Sequence, residues 1–255
     1  SNPWMAGVAA LFTREFFEAS SARLASGGIM CQWAHTYDIS DADLRAIVGT
    51  FRRVFADTSL WLIGDADLLL IGRLRAAGDP GAAIELNFHR AAIAADLATV
   101  NVKSPFSILS LFAGDSVAAD KYAGNTPVET DDRLRLEFSG PRSIVGRSSA
   151  DNGAALRAVT RSGGVPPSIT AALERATAAD WASRVAMILD ASAALAYEDF
   201  RRADAGGDDG ALPGLRESAT ASGRIAEAIA LIRRVADERP SSSAPLIELS
   251  RLLAA

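Results

Sequence analysis

Cysteine is almost absent from this 255-residue chain: Cys31 stands alone, so neither an intrachain disulfide nor a cysteine-ligated zinc site is available. One free thiol fits a reducing compartment, and the cytoplasm is the expected location. Lysine occurs only at Lys103 and Lys121; arginine supplies the rest of the 26 basic residues, against 31 acidic ones. The net charge of -5 comes without a basic stripe or an arginine cluster interleaved with aromatics. That excludes the electrostatic footprint of a phosphate backbone, and nucleic acid is not an expected partner. Histidine appears twice, and His89 stands beside Asn87 and Arg90 with no second histidine near it, so no metal site is expected. No apolar run approaches the roughly 20 residues of a membrane span, and no secretory leader opens the sequence. The opening Ser1-Asn2-Pro3-Trp4-Met5-Ala6-Gly7 lacks an initiating methionine and reads as a loop of active-site type. An internal starting point within a longer protein is the expectation.

What is present is apolar residue, 49% of the total, enough for one substantial core and a smaller helical appendage. Abundant alanine and arginine point to a GC-rich bacterial genome and say nothing about chemistry. Residues 9–24 carry Leu11, Phe12, Phe16, Ala19 and Leu24 at helical spacing, stopped by Gly27-Gly28. Residues 29–33 form a short apolar run that suits a buried parallel strand. Ser40 with Asp43 caps a helix whose one face holds Leu44, Ile47, Val48, Phe51 and Phe55. Residues 59–63 and 67–72, joined by Gly64-Asp65-Ala66, read as a hairpin. A right-handed crossover then places residues 29–33 in a parallel sheet, with the hairpin inserting one antiparallel strand. Ligands of open α/β sheets sit outside the carboxyl ends of the strands, which puts residues 1–7 and 32–37 on the functional rim.

Beyond the hairpin, residues 80–123 read as helical, and residues 125–138 as a loop followed by a short strand over 134–138. The Gly/Ser/Pro-rich stretch 149–168 is the expected linker, dividing the chain into 1–148 and a helical region 169–255. In that region Ala196, Phe200 and Ala203 match the small-aromatic-small spacing of a tetratricopeptide second helix. Gly223, Ala228 and Pro240 fit the turn, packing and terminating positions of another copy. Gly210, Pro213 and Gly214 are expected to spoil the helix between them. Leu246, Leu249 and Leu253 look like the next first helix, with further helices expected after Ala255.

Residues 1–8, then Leu11-Phe12-Thr13-Arg14-Glu15-Phe16-Phe17, Cys31-Gln32-Trp33, and later Glu129-Thr130-Asp131-Asp132-Arg133 with Leu136-Glu137-Phe138, resemble bacterial spermidine-synthase-like proteins. Members of that group are often fused to membrane segments. The resemblance covers roughly residues 1–145. It implies an α/β fold: the C-terminal half of a Rossmann-like class I methyltransferase sheet of strand, helix and β-hairpin, followed by the tetratricopeptide-like helices. It also implies a transferase that carries a group from S-adenosylmethionine, or its decarboxylated form, to an amine or other nucleophile. The nucleoside cradle and the first acid of the family's DSSDP loop would lie upstream of Ser1, so this chain alone is expected to bind no cofactor. Any membrane attachment, at the cytoplasmic face of the inner membrane, would come through segments outside this chain.

The residue assignments follow from that resemblance and from the rim position. His35, just beyond the strand and titrating near neutrality, is a candidate proton shuttle. Asp131 and Asp132 are the candidate acids, with Arg133 beside them. Asn2 aligns with the second acid of the family loop, where an amide can serve neither as base nor as counter-ion. The family's longer tyrosine-containing segment between the last strands is also absent. Gln32 can donate and accept toward a polar substrate, Trp4 offers a flat apolar wall, and Tyr37 with Asp38 can orient the acceptor. The rival reading is a non-catalytic scaffold with a vestigial nucleotide fold, its helical repeats holding a protein partner.

Overall fold

The computed structural model describes all residues except 1–4, 6, 65, 76, 77, 101, 144–148, 161–163, 189–192 and 255. The described chain is mixed α/β and mostly helical. After a 3-10 turn at Val8–Phe12, α1 (Arg14–Ser21) is capped by Thr13, whose hydroxyl accepts the Phe16 N–H. Strand β1 (Met30–His35) leads to α2 (Asp41–Val54), which starts where the Ser40 hydroxyl accepts the Asp43 N–H at 3.1 Å. Asp41 and Asp43 in its first turn and Arg52 and Arg53 in its last complement the helix dipole. Leu44, Ile47, Val48 and Phe51 form its fully buried stripe. This face lies on the hairpin of β2 (Asp57–Ile63) and β3 (Asp67–Arg73). A Cβ at Gly72 would fall 2.5 Å from the Phe55 ring and 2.6 Å from Phe51. Glycine there lets the strand meet both rings.

The chain continues through α3 (Pro80–Phe88), α4 (Ala91–Thr99) and α5 (Pro105–Leu109) to β4 (Phe112–Gly114) and α6 (Ser116–Ala123). The sheet order is β1-β3-β2-β4, and each ladder is antiparallel. Strands β1 and β2 both run opposite to β3, so they point the same way with the hairpin's second strand between them. The insertion is as expected; the parallel sheet around residues 29–33 is not found. Because β3 separates the two like-directed strands, no parallel ladder forms among the described residues. Strand β4 lies in a stretch expected to be helical; it is too short for period-2 alternation to register.

Two further expectations are corrected. Residues 134–138 are not a strand: they enter α7 (Arg135–Ser143). Leu134, Leu136 and Phe138 imitate strand alternation, but the buried Glu129 carboxylate accepts the Arg135 N–H at 2.9 Å and caps a helix instead. Nor is 149–168 a linker. Residues Ser149–Thr160 form α8, with Leu156 fully buried in the sheet-side core and Asn152 buried against the chain after β1. Glycine, serine and proline flank this helix, which is why the composition read as a linker. The chain divides into an α/β unit of residues 1–82 and 111–170 and a helical unit of residues 83–110 and 171–255.

The helical unit includes α9 (Pro167–Glu174) from residue 171 on, then α10 (Ala178–Ile188), α11 (Ala193–Ala205), α12 (Leu212–Ser222), α13 (Ile225–Glu238) and α14 (Ala244–Leu253). Helix α12 forms where Pro213 and Gly214 were expected to prevent it. Proline sits in its first turn, where no intrahelical donor is lost. At Gly214 a Cβ would lie 2.1 Å from the Phe200 ring, so the missing side chain admits that ring against the helix. Gly223, at φ 73°, ends α12 in the left-handed conformation. Tyr197, Leu212, Leu215, Ala219, Ala228, Ile232 and Leu252 form the core. Ala196, Phe200 and Ala203 of α11 recur thirty-two residues later as Ala228, Ile232 and Val235 of α13. Pro213 and Pro245, the same distance apart, each occupy a helix's first turn.

Candidate functional site

The carboxyl end of β1 is an aromatic run held from two sides. The Trp33, His35 and Tyr37 rings are neighbours, with centroids 5.6 Å and 4.9 Å apart. The Trp33 indole N–H donates to Asp67 at 2.9 Å, and the Thr36 N–H donates to the Ala66 carbonyl at 2.8 Å, so the hairpin fixes one side. On the other side the Asn152 amide of α8 donates to the carbonyls of Thr36 and Ile39 at 2.9 and 3.0 Å. Asp38, between them, has φ 51°, an uncommon conformation for a non-glycine residue. The loop is therefore clamped around a sparsely populated backbone geometry. Sequence reasoning missed Asn152; its only signal is a polar residue among the apolar positions of a helix.

His35 does not stand at the solvent rim. It is fully buried, and burial holds its imidazole at about 4, outweighing the opposing pull of Asp38 and Asp67. At neutral pH it is uncharged and not exposed to exchange protons freely with water. Gln32 is buried too, and its side-chain N–H donates to the Trp33 carbonyl at 3.0 Å, which makes it a locally bonded amide. Tyr37 is exposed and Asp38 half-buried, so these two are the loop's open polar groups. Asn2 and Trp4 lie outside the described residues.

The 129–133 motif divides its labour differently from the sequence expectation. Glu129, not singled out beforehand, is its buried centre. Besides capping α7 it donates its own N–H to Thr50 at 2.9 Å and accepts the Arg14 N–H on its carbonyl at 2.9 Å. Burial raises its carboxyl above the ordinary range, against the lowering effect of the α7 N–H groups and Arg135. Asp131 is tied through its N–H to Glu15 of α1 at 3.1 Å, and a short bridge joins Thr130 to Arg133. Asp131, Asp132 and Arg133 are exposed. Asp132 and Arg133 line a shallow depression of about 370 Å³ with Leu134, Arg135 and Phe138, which includes neither His35 nor Asp131. The described candidates thus fall on two separate supports, the β1 rim with Gln32, His35 and Tyr37 and the α7 approach with Asp131, Asp132 and Arg133.

A second concavity, of about 250 Å³, is lined among others by Asp57, Ser59, Ile71, Arg73, Asp79 and Asp115. Its acids already have structural tasks. Asp57 pairs with Arg73 at 3.6 Å, and Asp115 caps α6 through the Ala118 N–H. Burial works against ionisation of Asp79, but hydrogen bonds from Ser168 and Gly81 outweigh it and hold the carboxyl below its ordinary value. Among the described residues no group of three His, Cys, Asp or Glu side chains is arranged to hold a metal ion. No described helix is long and apolar enough to cross a membrane. The chain matches no family model, curated protein or solved structure.

Proposed function

We propose that the α/β unit is the acceptor side of a spermidine-synthase-like transferase with a Rossmann-like sheet, the β1 rim receiving a small amine. The observation that carries this reading is the strand arrangement: β3 inserted antiparallel between two like-directed strands, β1 and β2, that α2 connects. The clamped loop after β1 supports it, since strained, over-determined backbone collects where ligands are held. Tyr37 offers an aromatic wall and a hydroxyl, and Asp38 a carboxylate to face an ammonium group.

His35 has a positioning part here rather than a catalytic one. An alkylammonium near pKa ~10.4 facing an imidazole at about 4 would give up its proton uphill by roughly 9 kcal/mol. A buried neutral imidazole instead sets the stance of Tyr37 by ring contact. The turn after β1, Thr36-Tyr37-Asp38-Ile39, contains none of the glycines that would let its backbone approach a donor nucleoside closely. S-adenosylmethionine or its decarboxylated form would need another segment.

The test is a nuclear magnetic resonance titration of the 255-residue chain with putrescine and, separately, with S-adenosylmethionine. Putrescine is expected to shift the ring signals of Tyr37 and His35, and the nucleoside to leave them unmoved. Silence of both rings toward putrescine overturns the acceptor reading, and saturable nucleoside binding at micromolar concentration overturns the division between donor and acceptor sides.

A further inference from the structure

The concavity at the Asp57–Arg73 end of the hairpin lies wholly within the α/β unit. The β2–β3 register sets Asp57 opposite Arg73 and Ser59 opposite Ile71, so these four side chains share one face of the hairpin, alternating with the fully buried Leu60 and Leu70. The Arg73 side chain is only 17% exposed, yet its guanidinium makes no hydrogen bond among the described residues; Asp57, its ion-pair partner, stands 3.6 Å away. A largely buried guanidinium ordinarily spends its donors on acceptors. Asp115 accepts the Ala118 N–H on Oδ1 at 3.0 Å, while its Oδ2 accepts no hydrogen bond among the described residues. The Ser59 hydroxyl accepts the Trp61 indole N–H at 2.9 Å and donates to no described acceptor.

The rest of the lining is already bonded or apolar. Asp79 accepts the N–H groups of Gly81 and Ser168, each at 2.9 Å, and so ties the segment of Pro80 to that of Pro166 and Pro167. Those prolines bring no N–H to the cavity, and with Ile71 and Phe112 they make its apolar wall. The volume of about 250 Å³ falls below the roughly 300–1,000 Å³ of sites that take drug-sized molecules, so the fitting ligand is smaller. It must also carry two charges. A lone anion would meet three carboxylates, and a lone amine would leave the Arg73 donors without an acceptor.

We propose that this pocket binds a small zwitterion, an α-amino acid with an aliphatic side chain. Its carboxylate lies on the Arg73 guanidinium and the Ser59 hydroxyl, its ammonium on Asp115 Oδ2, and its side chain against Phe112 and the prolines. Arg73 is six residues, about 20 Å, along β3 from Asp67, which pairs with His35 at the β1 rim. The two sites are therefore separate, and this one does not depend on the transferase reading.

The probes are L-valine and L-leucine, titrated into the whole chain and followed by nuclear magnetic resonance. Saturable shifts are expected at the amides of Ser59, Arg73 and Phe112 at millimolar concentration, with the rings of His35 and Tyr37 unmoved. Isobutylamine, which is valine without its carboxylate, and 3-methylbutanoate, which is valine without its ammonium, should each bind about tenfold more weakly, the usual worth of a charge-assisted hydrogen bond. Arg73→Gln should weaken valine by a similar factor and leave isobutylamine unchanged. Asp115→Asn, in which the amide still caps α6, should weaken valine and leave 3-methylbutanoate unchanged. Exchange protection at Leu60 and Leu70 reports that each variant is folded, and the comparison of valine with its two analogues needs no variant. The proposal is overturned if neither amino acid binds saturably, if either singly charged analogue binds as tightly as valine, if both folded variants bind valine like the wild type, or if the shifts fall at the β1 rim instead.

Discussion

In the α/β unit the buried side chains of Asn152, Glu129 and Gln32 bond to backbone: Asn152 to the carbonyls of Thr36 and Ile39, Glu129 to the Arg135 N–H with the Arg135 guanidinium 3.6 Å away, and Gln32 to the Trp33 carbonyl. In the helical unit the buried acids meet arginines instead. Asp199 pairs with Arg184, Asp204 with Arg239 at 2.9 Å, and Glu248 with Arg216 at 2.7 Å. Asn152 joins segments more than a hundred residues apart, whereas the acid–arginine pairs join helices of one stack through residues no more than 35 positions apart. One unit is held by long-range closure and the other by nearest-neighbour contacts, so damage to one should not spread to the other.

The largest effect expected from that difference is at Phe51, whose ring meets Phe17 at 5.1 Å and Phe55 at 4.6 Å and covers Gly72. Phe51→Ala should cost about 3–5 kcal/mol, the usual range for emptying an aromatic core position. Exchange at β1 and β3 should accelerate accordingly, with Ile232 and Val235 of α13 unaffected. An equal loss of protection at Ile232 would show that the two units unfold as one.

Acid should act next, at the β1 rim. His35 sits at about 4 in the folded chain against an ordinary 6.5, so the unfolded chain binds its proton first. Its contribution is therefore complete above pH 6.5 and is lost as pH falls toward 4, by roughly 3 kcal/mol. In the helical unit burial raises the carboxyls of Asp199 and Asp204, despite their arginine partners. Their folded forms hold the proton more firmly than the unfolded chain, so they lose stability on ionising and favour mild acid. Exchange followed between pH 7 and 4 should show the β1 rim around His35 weakening, and His35→Phe should flatten that slope. An unchanged slope in that variant would assign the acid sensitivity elsewhere.

The elements legible in the sequence were those specified locally. Ser40 with Asp43 announced α2, and the two apolar runs around Gly64 formed the hairpin as read, whereas the helical segment expected up to Gly27-Gly28 divides at Thr13 and its α-helix already ends at Ser21. The helix α7 was misread because its cap, Glu129, lies six residues before Arg135 and acts only once the chain folds back. Gly214 looked like a helix breaker because Phe200, which needs the space, belongs to the preceding helix. The same limit applies to the candidate site. Its residue types were readable, but no spacing pattern reveals that His35 is buried or that Asn152, more than a hundred residues on, clamps its loop.

The smallest predicted effect tests the comparison at the level of single helix starts. In the α/β unit α1, α2 and α6 each begin with a side-chain cap, from Thr13, Ser40 and Asp115, whereas α12, α13 and α14 have no cap bond from the N-cap side chain. Ser40→Ala should cost about 1 kcal/mol, because the Asp43 N–H loses its acceptor at the start of a buried helix. Ser243→Ala, at the corresponding position of α14, should cost nearly nothing. There Pro245 removes one of the donors that need a partner, and the Ala244 N–H already meets the Ser242 hydroxyl at 3.3 Å. Denaturant titration of the two variants beside the wild type measures both. If Ser243→Ala costs as much as Ser40→Ala, α14 begins by its own cap, and a stack whose helices depend chiefly on their neighbours is the wrong description of this unit.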